Sequence, residues 1–252
     1  LGTAFVLIVI TVAIIGGISS FGPDKIETEG RVLFLNPEGI VVDQEVYSSD
    51  FPFNFAGDSS AEQIQTRDLI ALIRAAAKDD KIPAVLIDFS STGFAGPTTA
   101  INIAKELKAL RESGKRVIAY SDRLSSASYM MASQASEVWM HPVGSISVQG
   151  IGGMRPYQKE LFENLKINFH NYSQGDFKSA VEGNTRTDMS ENDRLQRTEL
   201  LTPIWAEMKS LMASGRGIKA SDIQYFADNY VGFFGEAAIG NIAYAQSNNI
   251  ID

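Results

Sequence analysis

The sequence predicts an α/β protein with a parallel sheet, preceded by one apolar segment long enough to cross a membrane. Strand and helix patterns alternate along the chain after residue 30, as they do in proteins built from strand–helix units. One of these strands, AVLIDF at residues 84–89, is almost continuously apolar, which is typical of a buried parallel strand. Residues 1–23, by contrast, contain no charged side chain.

The composition is that of a folded chain with a substantial core. Of the 252 residues, 44% are hydrophobic and 21% are charged, which excludes a disordered or low-complexity protein. The net charge of −8 argues against binding nucleic acid or anionic lipid through charge. The chain has no cysteine, so disulfides, thiol nucleophiles and Cys-ligated zinc are excluded. Its two histidines, His141 and His170, lie in no arrangement that suggests a Ser-His-Asp triad.

Residues 1–22 are predicted to form a transmembrane signal anchor. The apolar run over residues 3–21 just spans a hydrocarbon core of about 30 Å as a helix. A cleavable signal peptide is the alternative, since Gly16, Gly17 and Ser19 resemble a weak cleavage region. The polar residues 23–30 are predicted to be a linker, which argues against a buried core helix. No positive residue precedes the span, so the sequence gives no orientation in the membrane.

The rest of the chain, residues 31–252, is predicted to be one α/β domain. A capping box at residues 59–62 opens an amphipathic helix whose apolar side carries Ile64, Leu69, Leu72 and Ile73. Gly114 ends a later helix. The predicted strands are residues 31–35, 40–43, 84–89, 116–120, 138–140 and 167–172. The other predicted helices are residues 98–113, 126–135 and 156–165, with mostly helical segments at 190–213 and 221–248.

Ligand-facing loops of such a sheet are expected at the carboxyl ends of the strands, which selects residues 90–97, 121–125 and 173–179. In the first loop, Gly93, Ala95 and Gly96 could present backbone N–H groups to an oxyanion. An ordinary strand-to-helix turn is the alternative.

The second loop leads into a helix through Ser125, Ser126 and Ser128. A serine at such a turn can act as a nucleophile, but serines there more often cap the helix.

The third loop carries Lys178 between Asp176 and Glu182. A lysine acts as a general base only when burial lowers its pKa by roughly three units from about 10.4. Phe177, Ala180 and Val181 could supply that burial, whereas nearby carboxylates would oppose it. Taken alone, Lys178 also fits a surface lysine.

Several segments together resemble the N-terminal half of the long, tandem-repeat signal peptide peptidases of peptidase family S49. The most specific is FKSAVE at residues 177–182, followed by DMS at 188–190. The others are the apolar anchor, GRVLFLNPEGIVVD at 30–43, AAKDDKI at 76–82, FAG at 94–96, SGK at 113–115 and YMMASQASEVWMHP at 129–142.

The resemblance implies a ClpP/crotonase-like fold of repeated β-β-α units and a serine peptidase with a Ser/Lys dyad. It implies that Lys178 is the general base and that the nucleophilic serine comes from a C-terminal repeat, within a ring-like homo-oligomer. It further implies cleavage of remnant signal peptides at the cytoplasmic membrane, on its extracytoplasmic (periplasmic) side, without a metal or cofactor.

The resemblance also places Ser126 in register with the nucleophile of the catalytic repeat. Here Ala127 and Ser128 follow that serine where the catalytic repeat has glycines, and Pro97 has no N–H to donate in the oxyanion loop. Both departures predict that this half lacks a working nucleophile of its own. Two alternatives are a self-sufficient Ser126/Lys178 peptidase and a non-catalytic module that oligomerises or binds an acyl chain.

Overall fold

The computed structural model describes residues 29–45, 62–236 and 240–252. Residues 1–22, predicted to be the membrane anchor, lie outside these ranges, as does most of the predicted linker. Within the described ranges no helix combines the length and the apolar character that a membrane crossing requires. The described residues form a mixed α/β fold with two parallel sheets.

The larger sheet consists of four strands, β1 (Leu33–Leu35), β4 (Ala84–Asp88), β6 (Arg116–Ser125) and β7 (Glu137–Ser147). They lie in the order β1-β4-β6-β7, and all of the strand pairs are parallel. The smaller sheet consists of β2 (Gly39–Val42), β3 (Gln63–Gln65) and β5 (Thr92–Phe94), in the order β3-β2-β5. It is also parallel, so the prediction of an α/β fold with parallel strands is confirmed.

A bulge lets β6 run five residues further than the sequence predicts. The register with β7 shifts between Ser121 and Arg123, where the buried Ser121 hydroxyl accepts from the Arg123 N–H and donates to the Arg123 carbonyl. The strand therefore continues to Ser125. The prediction of a loop at residues 121–125 is wrong, because these residues belong to β6. They still lie at the carboxyl end of that strand.

Four helices pack in series along the sheets: α1 (Thr66–Lys78) on α2 (Pro97–Glu112), α2 on α3 (Ser126–Ala132), and α3 on α6 (Glu191–Arg216). The core lies between these helices and the larger sheet. The shorter helices are α4 (Lys159–Asn164), α5 (Glu182–Thr185), α7 (Ala220–Asp228), α8 (Tyr230–Glu236) and α9 (Gly240–Ser247). Fully buried core side chains include Val85, Val117, Val138, Ile103, Leu107, Met130 and Met212.

Helix α3 is buried in the core from Ser128 to Ala132. Tyr129 is fully buried and its hydroxyl donates to the Ile250 carbonyl at 2.9 Å. Its carboxyl end meets α6 so closely that a Cβ on Gly215 would lie 2.2 Å from the Ser133 carbonyl oxygen. The position of Ser126, the first residue of α3, is therefore set by packing rather than by loop conformation.

Three further predicted elements are corrected by the structure. The helix expected from the capping box begins only at Thr66, because Ile64 belongs to β3; residues 59–61 of that box lie outside the described ranges. The strand predicted at 167–172 is irregular. Lys166 has a positive φ of 58°, and the chain folds back so that the Ile167 N–H donates to the Phe162 carbonyl. The predicted helix at 156–165 is shortened to α4.

Candidate active site

Lys178 lies on an exposed loop between α4 and α5, here called the lysine loop (residues 175–181). Gly175 opens it with a φ of +101°, a left-handed conformation that favours glycine. Lys178 is exposed, and its neighbour Phe177 is 52% exposed. The predicted desolvation of Lys178 by Phe177, Ala180 and Val181 is therefore not present in the described part of the chain. Any burial of its amine has to come from groups beyond these residues.

Arg155 binds the backbone of the lysine loop. One guanidinium nitrogen, Nη2, donates to the carbonyl oxygens of Ser179 at 2.7 Å and Ala180 at 2.8 Å. The Gln158 N–H donates to the Gly183 carbonyl at 2.7 Å, and a Cβ on Gly183 would lie 3.2 Å from the Pro156 carbonyl oxygen. The segment around Arg155 thus runs directly against the backbone that follows Lys178.

The amino end of α6 holds the same loop from the other side. The Glu182 carboxylate accepts from both the hydroxyl (2.5 Å) and the N–H (3.2 Å) of Ser190, the N-cap of α6. The Ser190 oxygen in turn accepts from the Asp193 N–H at 3.1 Å. The Asn192 side-chain amide donates to the Asp176 carbonyl at 3.0 Å. Glu182 is therefore engaged with α6, and it does not form an ion pair with Lys178.

Asp193, in the first turn of α6, pairs with Arg155 and so links the two groups of residues that bind the lysine loop. Its side chain is 3% exposed and lies 3.0 Å from Arg197 Nε and 3.5 Å from Arg155 Nη1. Burial by itself would raise the pKa of Asp193. Hydrogen bonds from Arg197 and from the Ser179 hydroxyl, with the charges of both arginines, outweigh burial and hold that pKa below its usual range. Asp193 is therefore a carboxylate at neutral pH and anchors Arg155 by charge.

Ser126 is the first residue of α3, and its hydroxyl already has partners. Its Oγ accepts from the Gln149 N–H at 3.2 Å and donates to the Gly150 carbonyl at 3.4 Å. The capping role belongs to Ser125, which forms a reciprocal capping box with Ser128. In the described ranges no hydrogen bond joins Ser126 to Lys178.

The expected oxyanion residues lie close to α3 but are partly committed to the sheet. Gly93 is the central residue of β5, which contacts α3. The Ala95 N–H donates to the Val41 carbonyl at 3.0 Å. Gly96 is the N-cap of α2, with Pro97 as the first helical residue. Of these three groups, Ala95 would have to break a sheet hydrogen bond before it could bind an oxyanion.

The segments 90–97 and 121–125, predicted to face a ligand, both contribute to a polar cleft of about 550 Å³ at the carboxyl edge of the larger sheet. The Ser90 hydroxyl accepts from the Asp122 N–H at 3.1 Å and joins the two loops. The lysine loop does not line this cleft. Its lining residues are Ser90, Tyr120, Asp122, Arg123, His141, Val143, Gly144 and Ser145. In the described ranges, no cluster of histidine and carboxylate side chains is suited to a metal ion.

Sequence reasoning missed the residues that hold the lysine loop. Arg155 follows the glycines at 150–153, and those glycines match no binding motif. Asp193 lies three residues after Ser190, which is the spacing of a helix N-cap signal and the only local indication of this network. Its contact with Arg155 has no local signature at all.

Comparison with known proteins places this chain in a peptidase family. The model of peptidase family S49 matches residues 109–251, more than half of the chain, and the chain belongs to that family. The chain is also 27% identical over 247 residues to a protein named Protease 4 from Haemophilus influenzae, covering 97% of this chain and 40% of that protein. A Protease 4 from Salmonella typhi is 27% identical over 242 residues, covering 92% of this chain and 38% of that protein.

The chain therefore spans about 40% of the length of these curated relatives. The matched region includes α3, β7, the lysine loop and the helix that supports it. Both Ser126 and Lys178 lie within it.

Proposed function

We propose that this chain is the N-terminal half of a membrane-anchored serine peptidase with a Ser/Lys dyad, and that Lys178 is the general base of that dyad. The observation that carries the proposal is the lysine loop. It is exposed, yet side chains from two separate segments fix its backbone. These bonds hold the backbone on both sides of Lys178, and a general base requires such positioning.

In the proposed reaction, a serine hydroxyl attacks the carbonyl carbon of a peptide bond while Lys178 takes the hydroxyl proton. Backbone N–H groups stabilise the oxyanion of the tetrahedral intermediate, and the protonated Lys178 then donates to the leaving amine. A neutral amine at Lys178 requires desolvation, which a neighbouring repeat docked on the exposed loop would provide. A serine from that C-terminal repeat would complete the dyad, in a ClpP/crotonase-like homo-oligomer.

The proposed substrates are remnant signal peptides, cleaved at the cytoplasmic membrane. Residues 1–22 would anchor the chain there in a single pass, with the folded part on the extracytoplasmic side. A self-sufficient Ser126/Lys178 peptidase is the second candidate, supported by the position of Ser126 at the amino end of a helix beside β5. The hydrogen bonds of Ser126 to Gln149 and Gly150 weigh against it.

A serine-directed fluorophosphonate probe separates the two candidates. The purified, detergent-solubilised chain and its Ser126→Ala variant are treated with the probe after both are shown to be folded and monodisperse. We expect no labelling of the chain. Labelling that disappears in Ser126→Ala would mean that a complete dyad lies within these residues.

Activity of the full-length protein tests the role of Lys178. Lys178→Ala is expected to abolish peptide hydrolysis, because no other group would take the serine proton. Lys159→Ala is the matched control, since Lys159 lies on nearby α4 and only approaches Glu163 at 3.8 Å. Equal turnover of Lys178→Ala and the control would favour a non-catalytic module that oligomerises or binds an acyl chain.

A further inference from the structure

We infer that Arg155, anchored by Asp193, is the positioning residue that fixes the lysine loop in the geometry its base requires. This inference rests on the proposed role of Lys178 and assigns a purpose to a residue from a different segment of the chain. Arg155 makes no contact with Lys178 itself. It acts through the two peptide carbonyls that follow Lys178 in the sequence.

The hydrogen bonds from Arg155 restrict the backbone immediately after Lys178. Arg155 Nη2 donates to two consecutive carbonyls, those of Ser179 and Ala180, at 2.7 and 2.8 Å. Two bonds from one nitrogen to adjacent peptide units fix the orientation of both units. Since Lys178 is the residue immediately before them, the direction of its side chain follows from that orientation. Without this contact the loop would keep its bonds from Asn192 and Ser190 but would lose the one that fixes the peptide units directly after Lys178.

Arg155 is itself held in place by the Asp193 carboxylate and the Tyr157 ring. Its side chain is only 22% exposed, and its charge is balanced by the buried Asp193 carboxylate at 3.5 Å. The guanidinium also lies 5.9 Å from the centre of the Tyr157 ring, within the range of a cation–π interaction. A side chain this constrained loses little further entropy when it donates to the loop, so it can act as a rigid support.

Asp193 supports the loop through Arg155, since its buried carboxylate lies 3.5 Å from Arg155 Nη1. Arg155 Nη2 in turn donates to the Ser179 carbonyl at 2.7 Å. The carboxylate therefore holds the group that binds the residue immediately after Lys178. A proton transfer that depends on sub-ångström placement of Lys178 Nζ would be sensitive to this support.

Hydrogen exchange tests the geometric part without reference to catalysis. In the full-length protein, Arg155→Gln is expected to speed amide exchange of residues 176–181 by about tenfold or more, while β4 and β6 keep their protection. Arg194→Gln is the matched control, because Arg194 is an exposed arginine of α6 whose side chain makes no hydrogen bond within the described ranges. Exchange at 176–181 equal to that of the wild type would overturn the inference.

If Arg155→Gln also speeds amide exchange in β6, the substitution has disturbed the fold, and Arg155→Lys is used as the test variant instead. Lysine keeps the positive charge facing Asp193 but lacks the guanidinium fork. Exchange at residues 176–181 is then judged in the lysine variant in the same way. Faster exchange confined to residues 176–181 supports the inference, and unchanged exchange there overturns it.

Steady-state kinetics test the catalytic part. The folded Arg155 variant is expected to lower kcat by about tenfold or more with KM within about twofold, because the loop acts on the chemical step. A looser loop with unchanged kcat would overturn the positioning role and leave Lys178 as the base. Full turnover in Lys178→Ala would instead overturn the proposed function, and the purpose assigned to Arg155 with it. The two failures are therefore distinguishable.

Discussion

At the residue scale, the proposed chemistry depends on one amine at the end of a long, flexible side chain. Lys178 is exposed and makes no ion pair within the described ranges. Its environment can therefore be completed by whatever docks on the lysine loop. The same feature makes Lys178 accessible to chemical modification in the isolated chain.

Because this chain contains no cysteine, Lys178→Cys would introduce a single thiol into it. We expect the variant of the full-length protein to be inactive, since a thiol replaces the amine. Alkylation with 2-bromoethylamine rebuilds an amine of nearly the same length and should restore at least about a tenth of wild-type kcat. The measurement is peptide hydrolysis before and after alkylation.

Alkylation with iodoacetamide is the control, because it adds a similar bulk without an amine. Recovery with both reagents would show that volume rather than basicity is needed at position 178. That result would contradict the role of Lys178 as a base.

Residues of the candidate site differ in how far the sequence could identify them. Lys178 and Ser126 were located by short segments whose residues are adjacent in the chain. Arg155 and Asp193 were not, because their contact depends on how the chain between them folds. Arg111 is a further example. The basic residues around it in the sequence are typical of a solvated helix face, yet its Nη1 donates to the Gly215 carbonyl at 3.0 Å and joins α2 to α6.

At the element scale, long periodic segments were predicted well and short ones were not. The strands β4 and β6 and the helices α2 and α6 carry their own apolar patterns, and the structure confirms them. The three-residue strands β3 and β5 are defined by pairing with β2, which no local pattern encodes. The strand expected at 167–172 failed because Phe169 packs on the Phe162 ring of α4, with ring centres 4.5 Å apart.

Helix α6 offers an element-scale prediction, since its N-cap also binds the lysine loop. Ser190→Ala removes the acceptor for the Asp193 N–H, so the first turn of α6 loses its side-chain cap. It also removes the hydroxyl that donates to Glu182. We expect the free energy of unfolding to fall by about 1–2 kcal/mol. Urea denaturation of the full-length protein provides the measurement.

Ser221→Ala is the matched control, because Ser221 lies in the first turn of α7 and its hydroxyl makes only one long contact, to Asp222 at 3.4 Å. Ser190→Thr should recover most of the lost stability, since threonine also caps helices. Equal losses in Ser190→Ala and Ser221→Ala would show that the contact with Glu182 contributes nothing.

At the scale of the whole molecule, the fold separates a rigid sheet from the loops that carry the candidate chemistry. The core between the larger sheet and α2, α3 and α6 fixes Ser126, whereas Lys178 depends on a polar network outside that core. A packed core and a polar network respond differently to acid, because the network contains carboxylates that take up protons and the hydrophobic core cluster contains none. Acid is therefore expected to loosen the polar supports before it affects the apolar core.

Asp252 ties the far end of the described chain to the sheet and to α6. Its carboxylate accepts from the Val138 N–H of β7 at 2.7 Å and lies 3.0 Å from Arg216 Nη2, at the end of α6. Burial opposes the charged form, but the hydrogen bonds from Arg216 and Val138 and the Arg216 charge outweigh it and lower the pKa of Asp252. The contact therefore favours the folded state only while Asp252 is ionised.

A lowered folded-state pKa means that this stabilisation is fully present above the unfolded value of about 3.9 and is lost as the pH falls through the folded value. Asp252→Asn should therefore reduce the free energy of unfolding by about 1 kcal/mol at pH 7, a modest figure because water screens the 43% exposed carboxyl. The difference from the wild type should shrink below about pH 4. Urea denaturation of both proteins from pH 3 to pH 7 measures it, with Asp80→Asn, an exposed aspartate, as the control. A difference that stays constant over that range would mean that Asp252 acts through packing or neutral hydrogen bonds, and that its charge does not link β7 to α6.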